Sequence, residues 1–508
     1  MASAFASSTH PASEPRQNWM IFGAAVVITL LRSIALVVTP LDLGVDEAQY
    51  WLWSQTPDFG YFTKPPLIAW IIGAAHWLFG HHTWAVRLPA CWTHLGTALL
   101  LWRAAAWLYG QQAGRLAALI WITLPATSLG SFLISTDTPL LTLWSAGLLA
   151  MCGVASGRLS AGIGMTLAGL AFGLAMLAKF AAIYAMAGVL LIMLHGYLRR
   201  QHLLRWRHFV LAIIAFGVAA SPNIIWNFAN EFATVRHLGD NANISQHAAS
   251  LAGVWQFIGS QFAVAGPLML VFMLVAAGRS QRNQKTGWLV WMWAPVFALM
   301  TVQSYLSEAN ANWAMTAFPA LTLAAAGWLS GHKKRFLRIT AIGINLGLSL
   351  FVLVVTMAGS MGPLTPQSDP LRRLRGWQQL ATDIRPQIAA HDASAIIADR
   401  RATAALLNWH FYDSGLTIMV HDTDGVPSNH FEANHYWSAR PGRRLIALTG
   451  DSAPPPIPGV KWIAPTATSQ VTSQMTSQMT SQMTSQMTSQ VTISHNRQRQ
   501  LNIYRGIE

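Results

Sequence analysis

Three acids and one lysine stand close together in the stretch GVDEAQYWLWSQTPDFGYFTKPPLIAW, residues 44–70, among tryptophan, tyrosine and phenylalanine. They are Asp46, Glu47, Asp58 and Lys64, and an apolar segment long enough to cross a membrane comes just before them. A carboxylate beside a hydroxyl group can act as a general base, and a lysine can stabilise negative charge that develops on a phosphate. The stretch therefore has the residue types that a group-transfer reaction needs.

Further ionisable residues follow at the predicted outer ends of apolar runs or in the adjoining loops. They are Asp137 in SFLISTDTPLLTLW, Arg236 and His237 in NEFATVRHLGDNAN, and Glu308 in SEANANW. Ionisable groups at this depth are costly unless they pair, bind an ion or meet a charged ligand. Acids and bases on one face suit a ligand that carries both a hydroxyl and a phosphate.

Each candidate also has a plainer interpretation. Asp46 and Glu47 can be solvated interfacial acids, and Lys64 can extend from a surface helix towards the headgroups. Asp137 can simply pair with a base. The aromatic residues at positions 50–62 are typical of a belt at the membrane surface. The other candidates are then ordinary loop or interface charges: Arg236, His237, Glu308 and Lys179.

The composition identifies the solvent in which these residues must be positioned. Of the 508 residues, 53% are hydrophobic and only 10% are charged, whereas about a quarter are charged in soluble proteins. The net charge of +14 comes from bases in short loops, where they set membrane topology, so a nucleic-acid partner is not expected. The two cysteines, Cys91 and Cys152, lie inside apolar runs and encode neither a disulfide framework nor a cysteine metal site.

Apolar runs predict a polytopic α-helical membrane protein with about eleven spans, while the run at 67–79 is too short to cross and fits a surface or re-entrant helix. The predicted spans are 19–39, 84–108, 114–130, 136–154, 160–178, 180–197, 208–226, 253–277, 286–303, 312–329 and 337–359. The basic loops 199–208, 278–287 and 331–338 fall on one side, which the positive-inside rule makes cytoplasmic. The candidate residues then share the opposite face.

The composition changes after Gly362, where apolar runs shorten to strand length. The segments SAIIAD, LTIMVH, RRLIALTG and VKWIAP predict strands, and DPLRRLRGWQQLATDI and RRATAALLNWHFYD predict helices. We therefore expect a cytoplasmic tail at 1–18, a membrane domain at 19–360 with a first outer loop at 41–83, and a small soluble α/β domain at 361–508. The Thr-Ser-Gln repeat at 466–494 has no apolar face and is typical of a disordered or extended loop, with a stalk or adhesive role as the alternative.

Several motifs together resemble a known family. These are DEAQYWLW, GYFTKPPLIAW, STDTPL, SPNIIWN and SEANANWAMTAFPAL, with a weaker echo in RLRGWQQL and ADRRATAALLNWHFY. Their order and common side are similar to the polyprenyl-phosphate-sugar glycosyltransferases of the C-type membrane fold. That group includes protein O-mannosyltransferases, the aminoarabinose transferase that acts on lipid A, and galacturonic-acid transferases of lipopolysaccharide.

The resemblance implies an inverting sugar transfer from a polyprenyl-phosphate donor to an acceptor hydroxyl. Asp46 matches the catalytic aspartate of the first loop, Asp137 a second acid at the cavity, and Lys64 the lysine that meets the donor phosphate, with Arg236 as a helper. Weaker substrate-binding candidates complete the set: Glu47, Tyr61, His237 and Glu308. Relatives carry an acid before the lysine that helps hold a metal, but Thr63 stands here, so no metal site is predicted and a divalent metal stays an open question.

We therefore predict a glycosyltransferase of the bacterial inner membrane, with its C-terminal domain in the periplasm. Its expected partners are a polyprenyl-phosphate sugar, an acceptor that is lipid A, another glycolipid or an envelope glycan, and the membrane lipids. A protein O-mannosyltransferase is the alternative within the same class. A lipid-linked-sugar flippase or transporter is the alternative from another class, although transporters place their polar groups near the bilayer midplane and often show repeated halves.

Overall fold

The protein packs as two compact units, and segments of the two units alternate along the chain. The computed structural model describes residues 13–199, 204–232, 234, 249–281, 283, 285–362, 369–421, 429–435, 442–449, 454–455, 457, 460–463, 470–471 and 501–507. The first unit, here called the helical unit, comprises Met1–Val37, Lys64–Ile68 and Arg87–Val354. The second, here called the α/β unit, comprises Val38–Thr63, Ala69–Val86 and Val355–Glu508. The segments 38–63 and 69–86, which belong to the predicted first outer loop, thus pack with the C-terminal part of the chain.

Fifteen α-helices precede residue 360 in the described chain. They are α1 (Ser13–Val38), α2 (Val45–Ser54), α3 (Leu67–Phe79), α4 (Thr83–Tyr109), α5 (Gln111–Thr123), α6 (Pro125–Gly130), α7 (Asp137–Ala155), α8 (Ala161–Met176), α9 (Ile183–Leu198), α10 (Trp206–Ala229), α11 (Leu251–Ala265), α12 (Pro267–Ser280), α13 (Val290–Leu306), α14 (Phe318–Gly331) and α15 (Arg335–Ala358). Short 3₁₀ turns lead into three of them, at Phe180–Ala182, Gly287–Leu289 and Ala311–Ala317.

Six of the described helical segments are long and apolar enough to cross a membrane. They are Pro15–Val38, Asp137–Ala155, Phe180–Leu198, Trp206–Ala229, Gly287–Leu306 and Arg335–Ala358. A seventh span is formed if α11 and α12, which bend by 102° at Gly266, count as one crossing. The membrane fold is confirmed, but the predicted count of eleven is not, because several apolar runs fold as shorter helices. The runs at 114–130 and 312–329 are each divided between two helical segments, and α8 has only 16 residues.

Glycines allow α8 and α10 to lie close together in the helical unit. Gly169 and Gly173 form a Gly-x-x-x-Gly pair on α8 that faces the backbone of α10. A Cβ atom at Gly173 would lie 2.8 Å from the Cβ of Ala219 and closer still to the carbonyl oxygen of Phe216. Dispersion contacts between close backbones replace the hydrophobic driving force that is missing between helices in lipid.

The α/β unit contains a mixed sheet in the order β2-β1-β3-β6-β4, with β5 also pairing with β6. Its strands are β1 (Ala395–Ala398), β2 (Thr417–Val420), β3 (Arg444–Thr449), β4 (Lys461–Ile463), β5 (Gln470–Val471) and β6 (Leu501–Ile507). Strand β1 is parallel to both β2 and β3, whereas β6 is antiparallel to its three neighbours. The helices are α16 (Trp377–His391), α17 (Arg401–His410) and α18 (His430–Asn434), and a 3₁₀ turn spans Pro370–Leu374.

The predicted C-terminal α/β fold is confirmed, since β1 to β4 fall inside the four segments that predicted strands. The core of the sheet is apolar on its covered face, with Ala395, Ile397 and Leu445 almost fully buried. Strand β6 was not predicted, because it follows the Thr-Ser-Gln repeat. Gln470 and Val471, at the start of that tract, pair with β6, and residues 472–494 of the tract lie outside the described chain.

Candidate active site

Asp46 lies in the first turn of α2, within the α/β unit. Gly44 precedes the helix in an extended conformation, and its backbone N–H donates to Glu47 Oε2 at 2.8 Å. This bond caps the helix and leaves Glu47 only 3% exposed. Negative charge is favourable at a helix N-terminus, so both acids stabilise α2, but only Asp46 is open to solvent. The adjacent acids therefore have different environments.

An arginine from the C-terminal region holds the exposed acid. The Asp46 side chain is 61% exposed, and its Oδ1 accepts from the guanidinium of Arg401, the first residue of α17. The same guanidinium donates through Nε to Gln49 Oε1, one turn further along α2. Asp46 Oδ2 has no hydrogen-bond partner among the described residues. One carboxylate oxygen is thus held while the other is available.

Backbone and ring contacts fix α2 within the α/β unit. Asp42 Oδ2 accepts from the backbone N–H of Trp377 at 2.9 Å, and the Asp42 N–H donates to the Leu374 carbonyl at 2.8 Å. Trp51 is buried and meets Trp409 edge-on with ring centroids 5.0 Å apart. Helix α2 is therefore anchored to the segment 374–409 on both sides, through Asp42 just before it and through Trp51 in its last turn.

The aromatic residues of the first loop form part of a protein core. Trp51 and Trp53 are 1% exposed each, so the prediction of a membrane-surface belt is wrong for them. Trp51 also packs edge-on against His81, and the His81 ring stacks on Trp409 with centroids 3.7 Å apart. Burial lowers the pKa of His81, so this imidazole is neutral at physiological pH.

Tyr61 fixes the loop that connects α2 to α3. Its ring stacks on Trp53 with centroids 4.8 Å apart, and its hydroxyl donates to the Trp53 carbonyl at 3.0 Å. The hydroxyl also accepts from the backbone N–H of Asp58 at 3.1 Å. Burial raises the pKa of Tyr61 to about 12, which keeps the hydroxyl protonated and able to donate. These contacts give Tyr61 a structural role in the loop.

Asp137 belongs to the helical unit and has both oxygens occupied. Oδ1 accepts from Lys179 Nζ at 2.8 Å, and Oδ2 accepts from Asn312 Nδ2 at 2.7 Å. The Asp137 and Lys179 side chains are 12% and 22% exposed. Asp137 starts α7, where the helix dipole favours its charge. The pairing interpretation of Asp137 is the one that this geometry matches, with Lys179 as the base.

Lys64 lies in a half-buried turn of the same unit, just before α3. The backbone N–H of Leu67, three residues later, donates to the Leu177 carbonyl at 2.9 Å. Leu177 is two residues before Lys179, and Leu67 also packs against the small core of Leu140 and Ala178. The segment that carries Lys64 is therefore tied to the segment that carries Lys179.

The remaining predicted residues are not brought into either cluster by a described contact. Glu308 is exposed in the loop between α13 and the following 3₁₀ turn. Arg236 and His237 lie outside the described residues. Among the residues that the structure describes, no three His, Cys, Asp or Glu side chains are grouped so as to hold a metal ion.

Comparison with known proteins decides the family. Residues 63–226 match the model of the dolichyl-phosphate-mannose-protein mannosyltransferase family. Over 442 residues the chain is 33% identical to the lipid A galacturonosyltransferase RgtD of Rhizobium johnstonii, which covers 86% of this chain and 91% of that protein. The chain belongs to the C-type membrane glycosyltransferases. The predicted family is confirmed, and this glycosyltransferase is an enzyme rather than the flippase or transporter of the alternative interpretation.

Two further relatives support the fold of this glycosyltransferase. It is 26% identical over 337 residues to an undecaprenyl phosphate-α-4-amino-4-deoxy-L-arabinose arabinosyl transferase of Pectobacterium atrosepticum, covering 60% of this chain and 57% of that protein. The crystal structure of ArnT from Cupriavidus metallidurans bound to undecaprenyl phosphate matches with a TM-score of 0.65 at 16% identity. That match covers 85% of this chain and 93% of ArnT, so the two proteins share one fold across nearly their full length.

The sequence did not single out three residues that the site of this glycosyltransferase contains. Arg401 donates to Asp46, Asn312 donates to Asp137, and Gln49 accepts from Arg401. All three lie inside motifs that carry the family resemblance: Arg401 in ADRRATAALLNWHFY, Gln49 in DEAQYWLW and Asn312 in SEANANWAMTAFPAL. Chemically, the α/β unit offers an exposed carboxylate with one oxygen that has no partner among the described residues, and the helical unit offers the cluster of Asp137, Lys179 and Asn312.

Proposed function

We propose that this glycosyltransferase transfers a sugar from a polyprenyl-phosphate donor to a hydroxyl of lipid A, with inversion, at the periplasmic face of the bacterial inner membrane. The observation that carries the proposal is the 33% identity to RgtD across 91% of that lipid A galacturonosyltransferase. The arabinosyl transferase relative has a different sugar in its name. The proposed donor is a polyprenyl phosphate whichever sugar it carries.

Asp46 is the proposed general base. Its carboxylate is exposed and keeps one oxygen without a described partner, as acceptance of a proton from an incoming hydroxyl requires. The acceptor oxygen attacks the anomeric carbon as its proton passes to Asp46. The bond from that carbon to the donor phosphate breaks, and its electron pair stays on the phosphate oxygen. Attack on the side opposite the leaving group inverts the anomeric configuration.

Lys64 is the proposed partner of the departing lipid phosphate, with Arg236 as a helper. Phosphate needs no proton to leave, but the charge that develops on it is stabilised by a positioned cation. The contact between Leu67 and Leu177 supports this role because it fixes the turn that carries Lys64. Asp137 is proposed to act through Lys179, whose ammonium it orients, rather than as a second base.

The proposed orientation places loops 199–208, 278–287 and 331–338 in the cytoplasm and the C-terminal domain in the periplasm. The supporting observation is the concentration of lysine and arginine in those three loops. Alkaline phosphatase fused after Gly362 should therefore be active in cells, and the same reporter fused after Arg279 should be inactive. The reverse pattern would contradict the proposed side of the reaction.

Purified enzyme in detergent provides the direct test of activity. The expected result is transfer of label from a polyprenyl-phosphate uronic acid or aminopentose to lipid A. The sugar in the product should have the anomeric configuration opposite to that of the donor. Asp46→Asn should lower the rate of transfer by about 10³-fold while the protein elutes as a folded species. Transfer at the wild-type rate by the folded variant would refute the base assignment, and no transfer from either donor to lipid A would refute the proposed acceptor or donor.

A protein O-mannosyltransferase is the second candidate, because residues 63–226 match that family model. The match covers the region from Thr63 to Trp226 and leaves the α/β fold after residue 360 unaccounted for. Polyprenyl-phosphate mannose with a serine- and threonine-containing peptide distinguishes the two candidates. Mannosylated peptide together with unmodified lipid A would favour the second one.

A further inference from the structure

Arg401 lies just after a strand of the α/β unit, at a position where open α/β sheets commonly bind ligands. It follows β1, which lies between β2 and β3 and is parallel to both. The chain moves from β1 to β2 on one side and then returns to β3 on the other side, so the carboxyl end of β1 is a switch point of the strand order. Crevices outside such strand ends are the usual binding places of open α/β sheets.

The junction that carries Arg401 is rigid. The Asp399 N–H donates to the Leu448 carbonyl at 3.0 Å, and Asp399 Oδ1 accepts from Thr403 Oγ1 at 2.7 Å. Arg400 pairs with the second oxygen of Asp399. The first turn of α17 is therefore fixed to the sheet before the Arg401 side chain extends from it.

The guanidinium of Arg401 uses two of its donors on one face of α2. One contacts Asp46 Oδ1 and the other contacts Gln49 Oε1, and these residues are three positions apart on the helix. A planar fork that meets two acceptors fixes direction as well as distance, which a lysine ammonium does not. Arg401 thereby defines how the Asp46 carboxylate is turned.

The environment of Gln49 indicates that its contact with Arg401 has a role of its own. Its side chain is completely buried, yet its Nε2 has no hydrogen-bond partner among the described residues. A buried polar group without a partner costs about 1–3 kcal/mol, so an apolar residue would pack here at lower cost. The benefit of a glutamine at this position is the acceptor that it offers to Arg401.

We propose that Arg401 is a positioning residue of the transfer reaction, through which the C-terminal α/β fold takes part in catalysis. It holds Asp46 Oδ1 and so directs Oδ2 towards the acceptor hydroxyl, whose proton Oδ2 takes as the acceptor oxygen bonds to the anomeric carbon. The inference rests on the proposed function, because it needs Asp46 to be the base. It adds that the base works only when the α/β fold supplies its arginine.

Kinetics of full-length variants test this positioning role. Arg401→Gln should lower kcat by about 10- to 100-fold, the effect of a misdirected catalytic group, with KM for donor and acceptor changed by less than about twofold. Arg401→Lys should recover part of the loss, since an ammonium can reach one acceptor but not both. Gln49→Ala should show a smaller loss of kcat of the same kind.

Arg444→Gln is the matched control. Arg444 pairs with Asp392 at 3.4 Å in the same unit, and both side chains are more than half exposed. This variant should keep the wild-type kcat. Thermal unfolding of each variant in detergent identifies any loss that comes from misfolding, and Arg401→Lys then provides the comparison with the charge retained.

The outcomes separate the inference from the proposed function. If Asp46→Asn loses transfer but Arg401→Gln keeps the wild-type kcat, only the positioning role is wrong. An increase in acceptor KM without a change in kcat would also overturn it, because Arg401 would then bind substrate rather than direct Asp46. If Asp46→Asn itself transfers sugar at the wild-type rate, the base assignment fails and the inference with it.

Discussion

The two units each contain one acid that the sequence marks as catalytic, but they treat it differently. In the helical unit, Asp137 is nearly buried and both of its oxygens are bonded, to Lys179 and Asn312. In the α/β unit, Asp46 is mostly exposed and only one of its oxygens has a partner among the residues that the structure describes. A carboxylate needs a free oxygen to accept a proton, so the comparison supports the proposal that Asp46 is the base and that Asp137 orients Lys179.

The largest expected effect is on the rate of sugar transfer when Asp46 loses its charge. Asp46→Asn should lower kcat by about 10³-fold, since general-base catalysis contributes 10²–10⁴-fold, and should leave the unfolding temperature close to that of the wild type. Asp392→Asn is the control, because Asp392 is an exposed acid that also pairs with an arginine. Equal losses in the two variants would mean that the exposed acid of α2 has no special role.

Removal of Asp137 should instead affect stability. Asp137→Ala leaves the Lys179 ammonium without its acid, and a hydrogen bond to a charged group contributes about 1.5–3 kcal/mol. We expect the free energy of unfolding to fall by about 2 kcal/mol, measured by denaturation in detergent. A fully stable Asp137→Ala protein with a 10³-fold loss of kcat would contradict the orienting role.

A substitution that disturbs helix packing should destabilise the helical unit. Gly173→Ala places a methyl group against Phe216 and Ala219 on α10, and overpacking of this kind costs about 1–3 kcal/mol. Gly217→Ala is the matched control, because a Cβ there meets no atom within 4 Å. A lower unfolding temperature is expected for the first variant only. Similar values for both would show that α8 and α10 can separate without cost.

The smallest expected effect is a pH dependence that comes from the α/β unit. Burial, with nearby His435 and Arg401, lowers the pKa of His430 to about 3. Above pH 6.5 both folded and unfolded His430 are neutral, and below it the unfolded state binds a proton that the folded state does not. Stability should therefore fall from pH 6.5 towards pH 3, by about 1 kcal/mol between pH 7.5 and 6.0.

Thermal unfolding of wild type and His430→Gln at these two pH values measures this contribution. The variant should lose less stability on acidification, because glutamine does not titrate. His391→Gln is a control, since His391 lies in the last turn of α16 in the same unit. An identical pH dependence in wild type and His430→Gln would exclude His430 as its source.

Sequence patterns that repeat over a short distance predicted much of this fold. Period and length identified the long apolar helices and the four strands β1 to β4, because each forms from neighbouring residues. The predicted count of eleven spans is not confirmed, and the reason is physical. Helices buried among other helices, such as α8 and α14, can be apolar without being long enough to cross, and composition alone does not separate the two cases.

Long-range contacts explain the rest of the difference between the predicted and the observed structure. Asp46 could be predicted, but its contact with Arg401 joins residues 355 positions apart, and neither residue type nor spacing indicates that pair. Trp51 and Trp53 look like interfacial aromatics because they follow a membrane span, yet they pack against residues from beyond position 400. Such contacts depend on which segments share a unit, which local patterns do not reveal.

Strand β6 follows the Thr-Ser-Gln repeat and pairs with other strands of the sheet. This order has a consequence for variation in the length of the repeat. Val471 of β5 pairs with Leu501 of β6, so the two ends of the sequence between them are held side by side. Closure entropy rises by only roughly 0.6 kcal/mol when the number of residues between two joined ends doubles, so we expect gain or loss of Thr-Ser-Gln units to change stability little. A frameshift within the repeat, by contrast, removes the strand that bonds to β3, β4 and β5 alike. The reading frame of this tract therefore matters far more than its number of units.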